Sequence, residues 1–398
     1  MKIKEDVRAL EAELIDLRRT FHKYPELSWQ ESRTSEKIYH YLKQLGLAVQ
    51  QYPSKGVVGF LQGEKAGPTL LLRADMDALP IQEQTQVSYQ SVYPGVMHAC
   101  GHDGHMAMLM IAAKLLKKYK KLIPGNIKFV FQPCEESMGG AKAMISEGVL
   151  ANPKVDAAMG LHLWSPLKSG VIGIKSGSIM AALSLFSIKV IGQGGHTGYP
   201  ENAIDPIIAA SDIIQKVQLI QTRRMSQLNP TIIMFGKIEG GTKCNIIPDQ
   251  VLLEGTIRYL NDDNQLNQGI PEKKMKELVQ SIAKTHQVRL EMIFNQENKM
   301  VINHPGMTSL VRRITEELSG ITGVNKMTCT ASEDFSEFSH QVPSVFYFLG
   351  CGNPEKKSNI SHHNPFFNID EDVLSVGVEC HIRSALRFFK EKNLFDQK

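Results

Sequence analysis

Long apolar runs are missing from this chain. Nowhere do about 18 apolar residues follow one another, which excludes a transmembrane helix. The opening Met1-Lys2-Ile3-Lys4-Glu5-Asp6 is charged and helical rather than apolar, so no signal peptide is expected. Charge of one sign is equally scarce: 45 Lys and Arg stand against 41 Asp and Glu, a net charge of +4. The only notable basic run, Lys117-Lys118-Tyr119-Lys120-Lys121, reads as a solvated helix end, so neither a nucleic-acid nor a membrane partner is expected. Cysteine supplies no disulfide framework either. The six cysteines at 100, 134, 244, 329, 351 and 380 are far apart, and free thiols in a reducing cytosol are the expectation. Internal repeats and low-complexity stretches are absent. At 398 residues the chain exceeds one ordinary core, so two domains are expected.

What is present begins with an α/β rhythm. Apolar positions at Val7, Leu10, Leu14, Ile15, Leu17 and Phe21 predict a helix over 5–23, and a second amphipathic helix comes at 31–45. Strands are predicted at 69–73, 126–132 and 155–161, with helices at 103–120 and 140–147. Such alternation indicates a largely parallel sheet, whose ligands bind beyond the carboxyl ends of the strands. From about residue 180 the order changes to βαββαβ: strands at 183–191, 231–239, 250–260 and 287–294, helices at 202–221 and 271–286. This suits a ferredoxin-like α+β unit. The α/β pattern then resumes with a helix at 305–319, a strand at 344–349 and a helix at 371–390. The expected organisation is thus a discontinuous catalytic domain, 1–180 and 297–398, with an inserted domain at 181–296.

The chemistry concentrates in four segments: His98-Ala-Cys-Gly-His-Asp-Gly-His105, Glu135-Glu136, His162 and His362-His363. Metal ions need thiolate, neutral imidazole or carboxylate groups converging in space. Cys100 and His102, two apart at the entry to a helix, can bend toward one centre. Glu135-Glu136 comes after an apolar strand and a Pro-Cys step, a poor place for idle charge. Neighbouring carboxylates with opposed orientations permit one to ligate metal and the other to serve as general base. His162, flanked by Leu161, Leu163 and Trp164, reads by itself as a hydrogen-bonded core histidine. Arg258, at a strand end, reads by itself as half of a surface ion pair.

A set of motifs runs almost the whole length. It comprises Arg18-Arg-Thr-Phe-His22 with Tyr24-Pro-Glu26, Arg73-Ala-Asp-Met-Asp-Ala-Leu-Pro80, Met97-His-Ala-Cys-Gly-His-Asp-Gly-His105 and Gln132-Pro-Cys-Glu-Glu136. It continues through Gly192-Gln-Gly-Gly-His196, Asp205-Pro206, Asn245-Ile-Ile-Pro248, Gly255-Thr-Ile-Arg258, Glu333-Asp-Phe335 and His363-Asn-Pro365. Together they resemble the amidohydrolase subgroup of the aminoacylase/carboxypeptidase-G-like dinuclear metallopeptidases. That subgroup includes hippurate hydrolases, auxin-conjugate hydrolases and N-acetyl-diaminopimelate deacetylases. The resemblance implies two divalent metal ions (Mn, Zn, Co or Ni) on Cys100, His102, Glu136, His162 and one histidine of the pair 362–363. The family pattern of a ligand His, one variable residue, then usually Pro points to His363. It further implies Glu135 as general base and His196 as oxyanion stabiliser, often reaching a partner subunit's site. Asn245 and Arg258 would bind the substrate's carboxylate, and Asp75 and Asp77 would orient the ligands. The implied activity is hydrolysis of N-acyl-L-amino acids by metal-activated water, in a homodimer joined through the inserted lid domain. A dipeptidase or carboxypeptidase of the same chemistry, or a catalytically silent metal-binding relative, are the alternatives.

Overall fold

The computed structural model describes residues 2–226, 228–260, 270–318 and 320–391. The chain forms two compact units, one built from Met1–Ile179, Val301–Thr328 and Glu333–Lys398, the other from Met180–Met300 and Cys329–Ser332.

The first unit carries an eight-stranded sheet in the order Ala48–Gln51, Val57–Gln62, Pro124–Gln132, Lys65–Asp75, Ala157–Lys168, Ser344–Gly352, Val171–Gly173, Gly323–Asn325. Its four central strands, from Pro124–Gln132 to Ser344–Gly352, are mutually parallel. They are continuous apolar runs because both faces are covered: Leu70, Leu71 and Leu72 are all fully buried. The helix His102–Lys118 packs on this sheet and against Glu11–Lys23 and Val373–Phe388. It is apolar nearly all round, and Met106 through Ala113 are inaccessible to solvent, as expected of a helix enclosed by neighbours.

Strand ends explain where chemistry sits. Lys65–Asp75 closes on Asp75, and Pro124–Gln132 leads into Pro133-Cys134-Glu135-Glu136. The predicted strand at 155–161 differs: it runs on to Lys168, because pairing with Ser344–Gly352 continues past His162 to Trp164. His162 is therefore a strand residue rather than the first residue after one. The predicted helix at 5–23 is broken into Ile3–Arg8 and Glu11–Lys23, with Ala9 and Leu10 between them. The helix expected over 305–319 closes at Thr315, and position 319 lies outside the described residues.

The second unit is a four-stranded antiparallel sheet in the order Thr231–Gly240, Gln250–Tyr259, Ala182–Ile191, Arg289–Asn298. Helices Pro206–Leu219 and Ile270–His286 pack on it. Alternation along Ala182–Ile191 buries Phe186, Ile188 and Val190 beneath them. The first helix starts later than its apolar pattern suggests, at Pro206. Asp205 caps it there, its carboxylate accepting the Ile207 N–H at 2.8 Å. Among the described residues no helix is long and apolar enough to cross a membrane.

Candidate metal centre

The His-rich segment is held open by one glycine. Gly101 sits at φ +90° between Cys100 and His102 and precedes the first turn of the helix His102–Lys118. A left-handed residue there turns the chain sharply, so that Cys100 and His102 converge on one side. Two non-glycine residues around the same place also take left-handed backbone, Cys134 at φ +52° and His363 at φ +61°. Such conformations persist only where surroundings enforce them. For His363 the enforcing contact is its own N–H, which donates to Ala99 O at 2.9 Å.

Five of the sequence-derived ligands meet here. Cys100 Sγ lies 3.6 Å from His162 Nε2, and His102 Nε2 lies 3.9 Å from Glu136 Oε1. His363 Nε2 is 3.3 Å from the same Glu136 oxygen. Metal–ligand bonds of about 2.0–2.3 Å at tetrahedral angles put ligand atoms roughly 3.3–3.8 Å apart, so this spacing fits shared ions.

Hydrogen-bond accounting separates ligands from supports. His105 is fully committed: its Nε2 accepts the Leu163 N–H at 2.8 Å and its Nδ1 faces Asp75 Oδ1 at 2.6 Å. Asp75 is committed too, since Arg73 donates to its second oxygen at 2.6 Å. His362 uses both ring nitrogens, against Leu163 O at 3.0 Å and Ser165 Oγ at 3.3 Å, and stacks on Trp164. Left open are His102 Nε2 and Glu136 Oε1, both buried without a hydrogen-bond partner. Each such orphan costs roughly 1–3 kcal/mol unless something binds it. His162 fixes its tautomer with Nδ1 on Leu163 O at 2.6 Å, which leaves Nε2 as a lone-pair donor toward Cys100.

The electrostatics favour cations. Asp75, Asp77, Glu135, Glu136, Glu333 and Asp334 crowd the same region, with Arg73 paired to Asp75, Glu333 and Asp334. Burial lowers the His102 imidazolium, but Asp75, Asp77 and Glu136 outweigh it and raise the ring to about 10. Burial, then the neighbouring carboxylates, pushes the Cys100 thiol well up. Burial likewise lifts Glu135 well above the usual carboxylate range, reinforced by Glu333 and Glu136. Divalent ions would reverse that logic, neutralising the surplus charge and deprotonating the thiol. The donor set therefore fits a metal centre.

Asp77 ties the two halves together. Its carboxylate accepts the N–H groups of Glu135 and Glu136 at 3.1 and 3.0 Å, while its carbonyl faces His102 Nδ1 at 2.8 Å. Support from Arg73 had a sequence signal, polar residues alternating with apolar ones at the end of a buried run, and Glu333-Asp334 stood out only as one of the family-like motifs. Glu31, which reaches the same turn, had none.

His196, Asn245 and Arg258 belong to the second unit. Gly195–His196 pairs with Ile246–Ile247, which sets His196 beside the Asn245 segment. The Gly198 N–H donates to His196 Nδ1 at 2.9 Å, leaving Nε2 to carry the proton. Arg258 corrects the ion-pair reading: its polar contacts are Thr330 O at 3.3 Å and Ser332 Oγ at 3.1 Å, and among the described residues no carboxylate pairs with it.

Ligand atoms left open beside a buried, charge-laden carboxylate pair, at the strand ends of an α/β sheet, define a metal-dependent hydrolase. Residues 71–387 match peptidase family M20/M25/M40, and the chain belongs to that family. It is 40% identical over 393 residues to thermostable carboxypeptidase 1 of Saccharolobus solfataricus, covering 97% of this chain and 98% of the relative. It is 35% identical over 381 residues to N-acetylcysteine deacetylase of Bacillus subtilis, covering 95% and 97%. A solved Bacillus subtilis structure, described as a dinuclear metal binding peptidase, superposes with a TM-score of 0.84 at 32% identity, over 96% of this chain and 99% of that one.

Proposed function

We propose that the protein hydrolyses the amide bond of N-acyl-L-amino acids. The observation that carries this reading is the pair of buried ligand atoms without a hydrogen-bond partner, His102 Nε2 and Glu136 Oε1, gathered with Cys100, His162 and His363, with Glu135 directly beside Glu136. Two divalent ions held there would polarise the scissile carbonyl and make water nucleophilic at neutral pH. Glu135, with its carboxyl raised by burial and like charge, takes the proton from the attacking water. It returns that proton to the departing nitrogen. His196, whose Nε2 carries the proton because the Gly198 N–H occupies its Nδ1, is the proposed oxyanion stabiliser, reaching the site of a partner subunit. Arg258 lacks an acidic partner among the described residues, which suits a guanidinium kept for the substrate's carboxylate, and Asn245 is the second group proposed to bind that carboxylate.

A carboxypeptidase or dipeptidase reading shares this chemistry, since both cleave an amide next to a free carboxylate. The likeness to thermostable carboxypeptidase 1 of Saccharolobus solfataricus supports this second reading. Release of free amine from N-acetyl- and N-benzoyl-amino acids, set against dipeptides with free amino groups, with and without Mn²⁺ or Zn²⁺, decides between them. No metal-dependent release from the acylated set would sink the proposal. The outer strands of the second unit, Thr231–Gly240 and Arg289–Asn298, are sheet edges able to pair with a second copy, so a homodimer through this unit belongs to the proposal. Sedimentation equilibrium tests it, and a monomer at micromolar concentration would count against it. The six free thiols support a cytosolic setting.

A further inference from the structure

Glu31 is a fully buried carboxyl group that the fold does not need for its own helix. It immediately precedes Ser32–Gln44, yet its side chain makes no capping hydrogen bond to that helix. The Arg33 and Thr34 amides are taken instead by Glu26, at 3.1 and 2.8 Å. Oε1 of Glu31 reaches across to accept the Cys134 N–H at 2.8 Å, and Oε2 is buried with no partner. Burial raises the group to about 7. An apolar residue of the same volume would avoid that desolvation.

The contact at Cys134 matters because the chain leads from there directly into the paired glutamates. The amides of Glu135 and Glu136 end on the two oxygens of Asp77. Three successive N–H groups are thus captured by two buried acids, across a stretch that holds left-handed residues at Cys134 and Met138. The segment around Glu31 grips the turn elsewhere too. Ser28 Oγ donates to Asp77 Oδ2 at 2.7 Å, and the Trp29 ring covers Gly139, where an added Cβ would lie 2.9 Å from it.

We infer that Glu31 is a positioning residue: by holding the Cys134 N–H, it aims Glu135 at the attacking water and Glu136 at the metal site. The inference rests on the amidohydrolase reading for its effect on turnover, but its effect on metal binding stands apart. Glu31→Ala and Glu31→Met, the second of which fills the volume without an acceptor, are compared with Glu31→Gln, which keeps one. The readouts are kcat and KM on an N-acyl-amino acid, and Co²⁺ affinity by competition with a chelator. Loss of such supporting contacts typically lowers activity or metal affinity about 10–100-fold. That loss is expected in kcat and in Co²⁺ affinity for Ala and Met, with KM near wild type and Gln restoring both. Wild-type Co²⁺ affinity in folded Glu31→Ala and Glu31→Met would overturn the inference, as would Gln being as damaging as Ala. Should the wild type release no amine, the amidohydrolase reading fails while Co²⁺ affinity still decides on Glu31. Should neither Ala nor Met fold, hydrogen exchange of the wild-type Cys134 amide decides. Strand-like protection supports the contact, and turn-like exchange overturns it.

Discussion

At the scale of single residues, Glu135 and Glu136 show how two adjacent, chemically identical side chains are given different work. Glu136 leaves an oxygen without a hydrogen-bond partner toward His102 and His363, whereas Glu135 faces Glu333 among buried acids. Glu135→Gln should therefore lower kcat by roughly 10²–10⁴, the usual worth of a general base. Its metal content by atomic emission should stay at the wild-type level, because no ligand atom is removed. Retained turnover would rule Glu135 out as base. The paired histidines divide in the same way. His363→Ala should reduce bound metal per chain. His362→Ala should leave stoichiometry unchanged but lower the unfolding free energy, since it removes a ring stacked on Trp164. Much of this site was legible beforehand. A thiol, imidazoles and carboxylates at breaks after apolar runs point to a candidate metal site from sequence alone. Which nitrogen of His105 or His362 is already occupied depends on partners such as the Leu163 backbone, remote in sequence. Glu31 was invisible because an acidic residue in the first turn of an amphipathic helix is ordinary.

At the scale of elements, legibility tracks burial. The strands Lys65–Asp75 and Pro124–Gln132 announce themselves as apolar runs because both faces of the sheet are covered. Ala48–Gln51, with its burial pattern of mostly exposed positions, gives no such signal, and the two-residue pairing of Gly195–His196 with Ile246–Ile247 is too short for any period to appear. Gly101 carries a backbone demand at the start of the helix His102–Lys118. Its φ of +90° lies outside what a Cβ tolerates easily, so Gly101→Ala should swing Cys100 away from His102. A metal affinity weakened at least about tenfold, seen by chelator competition, is the expected outcome. The helix Val373–Phe388 carries a different consequence. His381 within it is held at about 3 by burial, against an ordinary value of 6.5. It stays neutral in the fold while the unfolded chain takes up a proton below 6.5. Its contribution to stability is complete above that value and is lost as pH falls toward 3. Urea unfolding of metal-free protein should show stability declining below pH 6.5, by up to about 1.4 kcal/mol per pH unit for each such group. His381→Leu should flatten that decline, and an unchanged slope would show that His381 is not held neutral.

At the scale of the whole molecule, the proposed ligands come from distant stretches of sequence, residues 100–102, 136, 162 and 363, yet all belong to one unit. Metal bound there would therefore cross-link the strand ends of the eight-stranded sheet and the loop after Ser344–Gly352, and would relieve repulsion among Asp75, Asp77, Glu135, Glu136, Glu333 and Asp334. The second unit has its own sheet and its own buried set, including Ile188, Val190, Ile213, Val217 and Leu253. It contributes none of those ligands. A ligand present at about 100 times its Kd adds roughly 2.7 kcal/mol to the stability of the state that binds it. In hydrogen–deuterium exchange with and without chelator, that difference should appear as faster exchange in 97–105, 132–140 and 360–365 once metal is stripped. The strands Ala182–Ile191 and Gln250–Tyr259 should keep their protection. Uniform loss across both units would mean that they unfold as one cooperative block, with the metal stabilising the entire chain. No change in the first unit would mean that these side chains bind no ion, and the proposed chemistry would fall with them.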